Sequence, residues 1–363
     1  MMNPIKLRHI LHMNPELSFQ EFETQKILMN ALESMGIKGE TIARTGILVL
    51  YDVGQKEKGF HLLRADMDAL PLKEETGWEY SSKNNYMHAC GHDVHMAILF
   101  GLIERIFKET PKVNLAFIFQ PGEETGGGAR LVLEELKDKK IKIINAISLH
   151  VTDEYKFGTI ASKPGTLFAS AYEIDVIFKG DPIHIAFYDE DKDPIMKAFN
   201  FLYNVKKLKN ENIILVGFGK IEGGKARNIL ADEVILYGTV RTPSVEISEE
   251  ILQKMKELVK DGVIMPRSKY PHVSVDVHLF ELLKRVSRKL GYTFIQCQMK
   301  FTGEDFGFFS QEYPSLMFWL GTRVKDFHGL HNPKFLPPDE IIPVGINLMY
   351  GLIKELEKEC EIS

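Results

Sequence analysis

"NLAFIFQPGEETGGGARLVLEELK", Asn114 to Lys137, opens on a short apolar run, breaks at a proline and a glycine, presents two adjacent glutamates and resumes after three glycines. The run reads as a buried strand, and Ala129 to Lys137 as the helix after the glycine-rich turn. The pattern recurs on both sides. "GFHLLRAD" (59 to 66), "INAISLH" (144 to 150) and "PSLMFWLG" (314 to 321) are apolar runs ending in polar or glycine residues, and Val94 to Lys108 is a helical pattern. Strands alternating with helices predict an α/β body. A final helix, Val344 to Lys358, belongs to it.

From Tyr172 to Val277 the character changes. "YEIDVIFKG", "NIILVGFGKIEGG" and "ADEVILYGTVRT" alternate apolar and polar residues, with the helical stretches "DPIMKAFNFLYNVKKL" and "SEEILQKMKELVKDG" between them. That order predicts a split βαβ, ferredoxin-like α+β domain inserted into the first. The expected division is 1–171 with 278–363 as the body and 172–277 as the insert.

Composition narrows the classes of function. In 363 residues, 44% are hydrophobic, enough for a packed core without staples. Forty-five basic against 50 acidic residues give a net charge of −5, and no basic stripe marks a nucleic-acid surface. No uncharged apolar run approaches a membrane span, and the first residues lack the apolar core of a signal peptide. Three widely spaced cysteines fit a reducing compartment, so a soluble cytoplasmic protein is expected.

"MHACGHDVHMA", Met87 to Ala97, packs three histidines, a cysteine and an aspartate ahead of a strongly apolar helix. Cys90 and His92 fall at the helix N-terminus, where the dipole favours a thiolate, so both suit a metal ion. The alternative is that His88, His92 and His95 merely share one helix face. Other strand ends weigh on the choice: Glu123 and Glu124 after one strand, His150 closing another, His331 following the last. Ligands bind outside the carboxyl ends of strands in open α/β sheets, so these residues are expected to converge. One cysteine, three histidines and a glutamate are enough for two metals. Separately, each has a plainer reading as a helix start, a core histidine or a turn residue.

The ordered series "HMNPELSFQE", "RADMDALPL", "HACGHDVH", "FIFQPGEE", "SLHV", "GTVRT", "FTGEDFG" and "GLHNPKF" resembles the metal-dependent amidohydrolases of the M20 peptidase group. The likeness is to the aminoacylase-like branch with hippurate hydrolases, indole-acetyl-amino-acid hydrolases and N-acetyldiaminopimelate deacetylases, and "TGEDFGFF" with "MFWLG" is most similar to the last of these. The resemblance implies a zinc-peptidase-like catalytic domain and two divalent ions (zinc, manganese, cobalt or nickel) held by Cys90, His92, Glu124, His150 and His331. It implies Glu123 as general base, Asp66 among the catalytic residues, His184 as the group polarising the scissile carbonyl, and Asn228 and Arg241 as carboxylate-binding residues. A small N-acyl amino acid is the implied substrate, and a homodimer or higher homo-oligomer through the inserted lid domain the implied assembly. A related N-acyl-amino-acid hydrolase or carboxypeptidase, or a non-catalytic metal-bound binding protein, are the alternatives.

One stretch departs from the family pattern. Where a glycine-rich "GKGGHAAxPH" is usual, this chain has "GDPIHIAFYD", Gly180 to Asp189. His184 remains, but Asp181, Pro182 and Ile183 stiffen the loop that carries it.

Overall fold

The computed structural model describes residues 2–208 and 214–362. The chain forms two compact units: Met1–Leu167 with Ser274–Gln298 and Phe308–Ser363, and Phe168–Val273 with Met299–Gly307.

The first unit is built on an eight-stranded sheet among the described residues, ordered 40–42, 46–51, 115–120, 60–66, 143–156, 315–323, 159–162, 293–296. Its centre is parallel: Phe60–Asp66 runs beside Leu115–Gln120 and beside Ile143–Lys156, which in turn pairs with Ser315–Arg323. Parallel strands are covered on both faces, which is why Phe60–Asp66 and Leu115–Gln120 are buried at every position. The His92–Glu109 helix lies against this sheet, with Pro4–His12 and Ile341–Ile362 packed on it.

The strand expected to close at His150 continues to Lys156. Leu320 and Gly321 still pair with Val151 and Thr152 on one side, while pairing with the Phe60–Asp66 strand ends at Arg64–Ser148. His150 therefore sits where one neighbour has left and the backbone on that side is free to bind side chains. The antiparallel strands Glu40–Ile42 and Gly46–Tyr51 and the short Thr159–Ser162 and Thr293–Gln296 extend the sheet; of these, "GILVLY" is an apolar run that the sequence reading missed.

The second unit follows the order strand, helix, strand, strand, helix, strand: Ser170–Lys179, Pro194–Val205, Leu215–Gly223, Glu233–Thr242, Val245–Val259 and Gly262–Tyr270. The sheet order is 262–270, 170–179, 233–242, 215–223, all antiparallel. One face packs Tyr172, Ile174, Val176, Phe178, Val234, Leu236 and Val240 against the helices. Unlike the sequence boundaries of 172 and 277, the unit starts at Phe168 and takes in Met299–Gly307. The reason is local: Ala169 N–H donates to the Lys300 carbonyl at 2.8 Å, and Arg241 to that of Phe301 at 2.8 Å.

Candidate metal centre

The centre grows from the turn at Gly91. This residue caps the His92–Glu109 helix in the left-handed region (φ 80°), and a Cβ there would lie 2.3 Å from Val151 Cγ2. Only glycine lets the chain turn this tightly against the Ile143–Lys156 strand. The turn sets Cys90 and His92 beside His150: their donor atoms lie within 4.8 Å of one another. Cys90, Glu124 and His331 form a second such group, and His92, Glu123 and Glu124 a third. The groups share members, so six residues make one cluster.

Hydrogen bonds set the tautomers. His92 Nδ1 donates to the Asp68 carbonyl at 2.8 Å and His150 Nδ1 to the Val151 carbonyl at 2.8 Å. Both rings thereby leave Nε2 as the atom that a metal ion would take. His92 Nε2, Glu124 Oε1 and Asp68 Oδ1 are buried without a hydrogen-bond partner. Buried polar atoms are rarely left this way unless an ion or water belongs there.

Electrostatics point to a cation. Burial works against charge on His92, but Asp66, Asp68 and Glu124 outweigh it and hold the ring's pKa up at about 10. Burial, then Asp68 and Asp66, push Glu124 up to about 7 against the pull of His92. Burial, followed by Glu124 and Glu123, drives the Cys90 thiol well above its usual range. The expectation of a thiolate from the helix start alone is thus corrected: burial, with the acidic neighbours, outweighs the dipole, and Cys90 ionises when a cation offsets them. A nitrogen, sulfur and carboxylate donor set of this kind fits divalent transition metals.

Glu123 and Glu124 lie in a turn after Gly122 (φ 65°) rather than on an extended strand end. Both carboxylates consequently reach His92. His331 also adopts a left-handed backbone (φ 61°). Its N–H donates to the Ala89 carbonyl at 3.0 Å, and its Nε2 lies 3.0 Å from Cys90 Sγ. Backbone strain of this kind concentrates at functional sites.

Asp66 is fully buried, with one oxygen on Arg64 Nη1 and the other on His95 Nδ1, each at 2.6 Å. His95 Nε2 accepts the Val151 N–H at 2.9 Å. Asp66, expected among the catalytic residues, thus has a partner on each oxygen and fixes the His95 ring. Asp68, which from sequence reads with Asp66 as a turn former, accepts from Ser18 Oγ (2.6 Å) and the Glu124 N–H (2.9 Å). Its signal was the i, i+2 aspartate pair in "RADMD".

Within the second unit, His184 is exposed and its Nδ1 accepts the Ala186 N–H at 3.1 Å, which places a proton on the outward Nε2. The next residue, Ile185, donates its N–H to the Asn228 carbonyl at 2.9 Å, so the loop brings His184 and Asn228 together. Arg241 is half-buried at the end of the Glu233–Thr242 strand.

Residues 62–355 match the model of peptidase family M20/M25/M40. The chain belongs to this family. The M20 match contains every residue of the cluster. Curated relatives include N-acetyldiaminopimelate deacetylases of Halalkalibacterium halodurans, 34% identical over 97% of this chain and 99% of that one, and of Geobacillus sp., 36% identical over 96% of each. Among solved structures, the chain is similar to the YXEP protein of Bacillus subtilis, described as a dinuclear metal-binding M20 peptidase (TM-score 0.85, 27% identity, 98% of each chain). It is also similar to a putative aminohydrolase from methicillin-resistant Staphylococcus aureus (TM-score 0.87, 26% identity, 97% and 95% covered). Among the described residues, no helix of this M20 chain is long and apolar enough to cross a membrane.

Proposed function

We propose that the chain is a metal-dependent amidohydrolase that cleaves the amide of N-acetyldiaminopimelate to diaminopimelate and acetate, a step toward lysine. The observation that carries this reading is a second carboxylate, Glu123, grouped within 4.8 Å with Glu124 and with a His92 whose Nε2 is buried without a hydrogen-bond partner. Cys90, His92, Glu124, His150 and His331 would hold two divalent cations, which supply Lewis acidity to a water and to the amide oxygen. Glu123 takes the proton of the attacking water and passes it to the leaving nitrogen. Asp68, through its carbonyl, holds His92 in the tautomer that presents Nε2.

The second unit contributes His184, whose Nε2–H suits a developing oxyanion, and Asn228 and Arg241 for the substrate's carboxylate. Self-association through this unit is favoured by exposed Ile195, Phe199 and Tyr203, spaced four apart along one helix. The three free cysteines favour the cytoplasm.

The test loads metal-depleted protein separately with zinc, manganese, cobalt and nickel, then assays N-acetyldiaminopimelate, hippurate and indole-acetyl conjugates. Preference for the first supports the proposal, and preference for another transfers the protein to a sister activity. Two bound metals with no turnover on any substrate would make it a binding protein.

A further inference from the structure

Ser18 to Glu21 stand outside the metal cluster, yet they reach the turn that carries Glu123 and Glu124 at three points. Glu21 is fully buried, and its Oε1 accepts the Gly122 N–H at 2.9 Å while its Oε2 accepts from Thr45 Oγ1 at 2.5 Å. Phe19 packs its ring on Gly122, where a Cβ would lie 2.5 Å from Phe19 Cζ. Ser18 Oγ donates to Asp68 Oδ2 at 2.6 Å, the oxygen that also accepts the Glu124 N–H at 2.9 Å. The N–H groups of the residues just before and just after Glu123 are therefore each held by a buried carboxylate.

Neither the local helix nor core packing accounts for these contacts. Glu21 stands at the N-cap of the Phe22–Glu33 helix, but its side chain makes no capping bond. Capping falls to Glu16, whose carboxylate accepts the Thr24 N–H at 2.8 Å and the Glu23 N–H at 3.2 Å. Glu21 is thus left for the turn. Burying a carboxylate is costly, and an apolar side chain would fill the same space more cheaply. What the carboxylate adds is a charge-assisted bond, which fixes a peptide plane more firmly than a neutral acceptor does. Phe19 is held in the left-handed region at φ 60°, a conformation an aromatic residue rarely adopts. Such strain persists where the surrounding structure needs it, and here it delivers the ring to Gly122.

A general base works only from the right place, and the direction of its side chain follows from the peptide planes around it. The Gly122 N–H belongs to the Pro121–Gly122 peptide and the Glu124 N–H to the Glu123–Glu124 peptide, so the stretch between them is pinned at both ends. We propose that Ser18 to Glu21 brace this turn, and that Glu21 is a positioning residue for Glu123. It touches no substrate; it aims the carboxylate that takes the proton of the attacking water. The inference deepens the amidohydrolase reading and rests on it for the role of Glu123.

The experiment compares kcat, KM, bound metal and melting temperature in metal-saturated wild type, Glu21→Leu, Glu21→Gln, Phe19→Gly and Glu16→Ala, using the N-acyl amino acid that wild type hydrolyses fastest. Glu21→Leu is expected to lower kcat about tenfold or more, with KM within about threefold and metal content as in wild type. Glu21→Gln keeps an oxygen for the Gly122 N–H and should recover most of the loss. Glu16→Ala weakens the same segment without touching the turn, so melting temperature should fall while kcat stays. Phe19→Gly removes the ring but relieves the left-handed backbone; a loss in kcat of about threefold or more is expected, and it decides the matter if Glu21→Leu does not fold. Unchanged kcat in Glu21→Leu, or an equal loss in Glu16→Ala, overturns the brace. Amide hydrogen exchange reads the turn without turnover. Should wild type hydrolyse no N-acyl amino acid, the proposed activity fails. The brace then stands only if exchange at both Gly122 and Glu124 quickens about tenfold or more in Glu21→Leu and not in Glu16→Ala; unchanged protection overturns it.

Discussion

His331 Nε2 lies 3.0 Å from Cys90 Sγ, although 241 residues separate them. The contact is made by two backbones in the left-handed region: Gly91 at φ 80° turns Cys90 inward, and His331 at φ 61° turns toward it.

The state of Cys90 is therefore an indicator of the metal centre. Metal-loaded protein is expected to resist alkylation at Cys90 between pH 7 and 9, since a ligand sulfur is blocked. After chelation, labelling should be slow near neutrality and rise about tenfold per pH unit, because burial and the neighbouring glutamates hold the thiol pKa high. Exposed Cys360 is the internal reference. Identical Cys90 rates with and without metal, read by peptide mass spectrometry, would remove it from the ligand set.

The adjacent glutamates should separate by function. Glu123→Gln is expected to keep its metals and lose turnover by about 10² to 10⁴-fold, roughly 3–5 kcal/mol of barrier. Glu124→Gln should lower metal content, with partial rescue by excess metal. Metal analysis and turnover on the same preparations check both, and metal loss confined to Glu123→Gln would reverse the roles.

Arg241→Lys keeps a charge but loses the planar fork that can hold the Phe301 carbonyl and a carboxylate together. KM for carboxylate-bearing substrates should rise about tenfold with kcat less affected. Unchanged kinetic constants would place the carboxylate site elsewhere.

Gly91→Ala tests the turn itself. It adds about 1–2 kcal/mol of left-handed strain and a Cβ 2.3 Å from Val151 Cγ2. Both melting temperature and metal stoichiometry should fall. A variant with wild-type metal content would show that the tight approach is dispensable.

His12 supplies a pH dependence away from the ligands. It is buried, bonded through Nδ1 to Asp93 and through Nε2 to Glu74. Burial opposes its charge, yet Asp93 and Glu74 together raise its pKa from 6.5 to about 9. Burial likewise opposes charge on Glu74, and its bonds from His12, Ser82 and Thr76 bring that carboxyl from 4.5 to about 2. A raised pKa stabilises fully below 6.5 and fades as pH climbs through about 9; a depressed one stabilises above 4.5 and fades as pH drops through about 2. The pair is thus strongest from about pH 4.5 to 6.5, where His12 contributes roughly 3 kcal/mol, an amount overlapping with that of Glu74. The melting-temperature gap between wild type and His12→Gln should be widest there and nearly closed by pH 10. A gap independent of pH would contradict a charged His12.

Local pattern was enough for the α/β body, for the ferredoxin-like insert and for the idea that Cys90, His92, Glu124, His150 and His331 meet. Apolar runs, glycine breaks and polar strand ends are properties of neighbouring residues, and the topology of open sheets brings the strand ends together. Which histidine does what was decided by tertiary contacts. By spacing, His88, His92 and His95 are alike, but the fold treats each differently. His88 is buried with neither ring nitrogen bonded, His92 keeps Nε2 for a ligand, and His95 spends both nitrogens on Asp66 and Val151. The protonation of Cys90 was equally hidden, because helix position argues for a thiolate while burial, with Glu124 and Glu123 arriving from another strand's turn, argues harder for the thiol. Spacing along a chain determines which element a residue joins; its partners and its charge depend on distance and burial, which exist only after distant segments have packed.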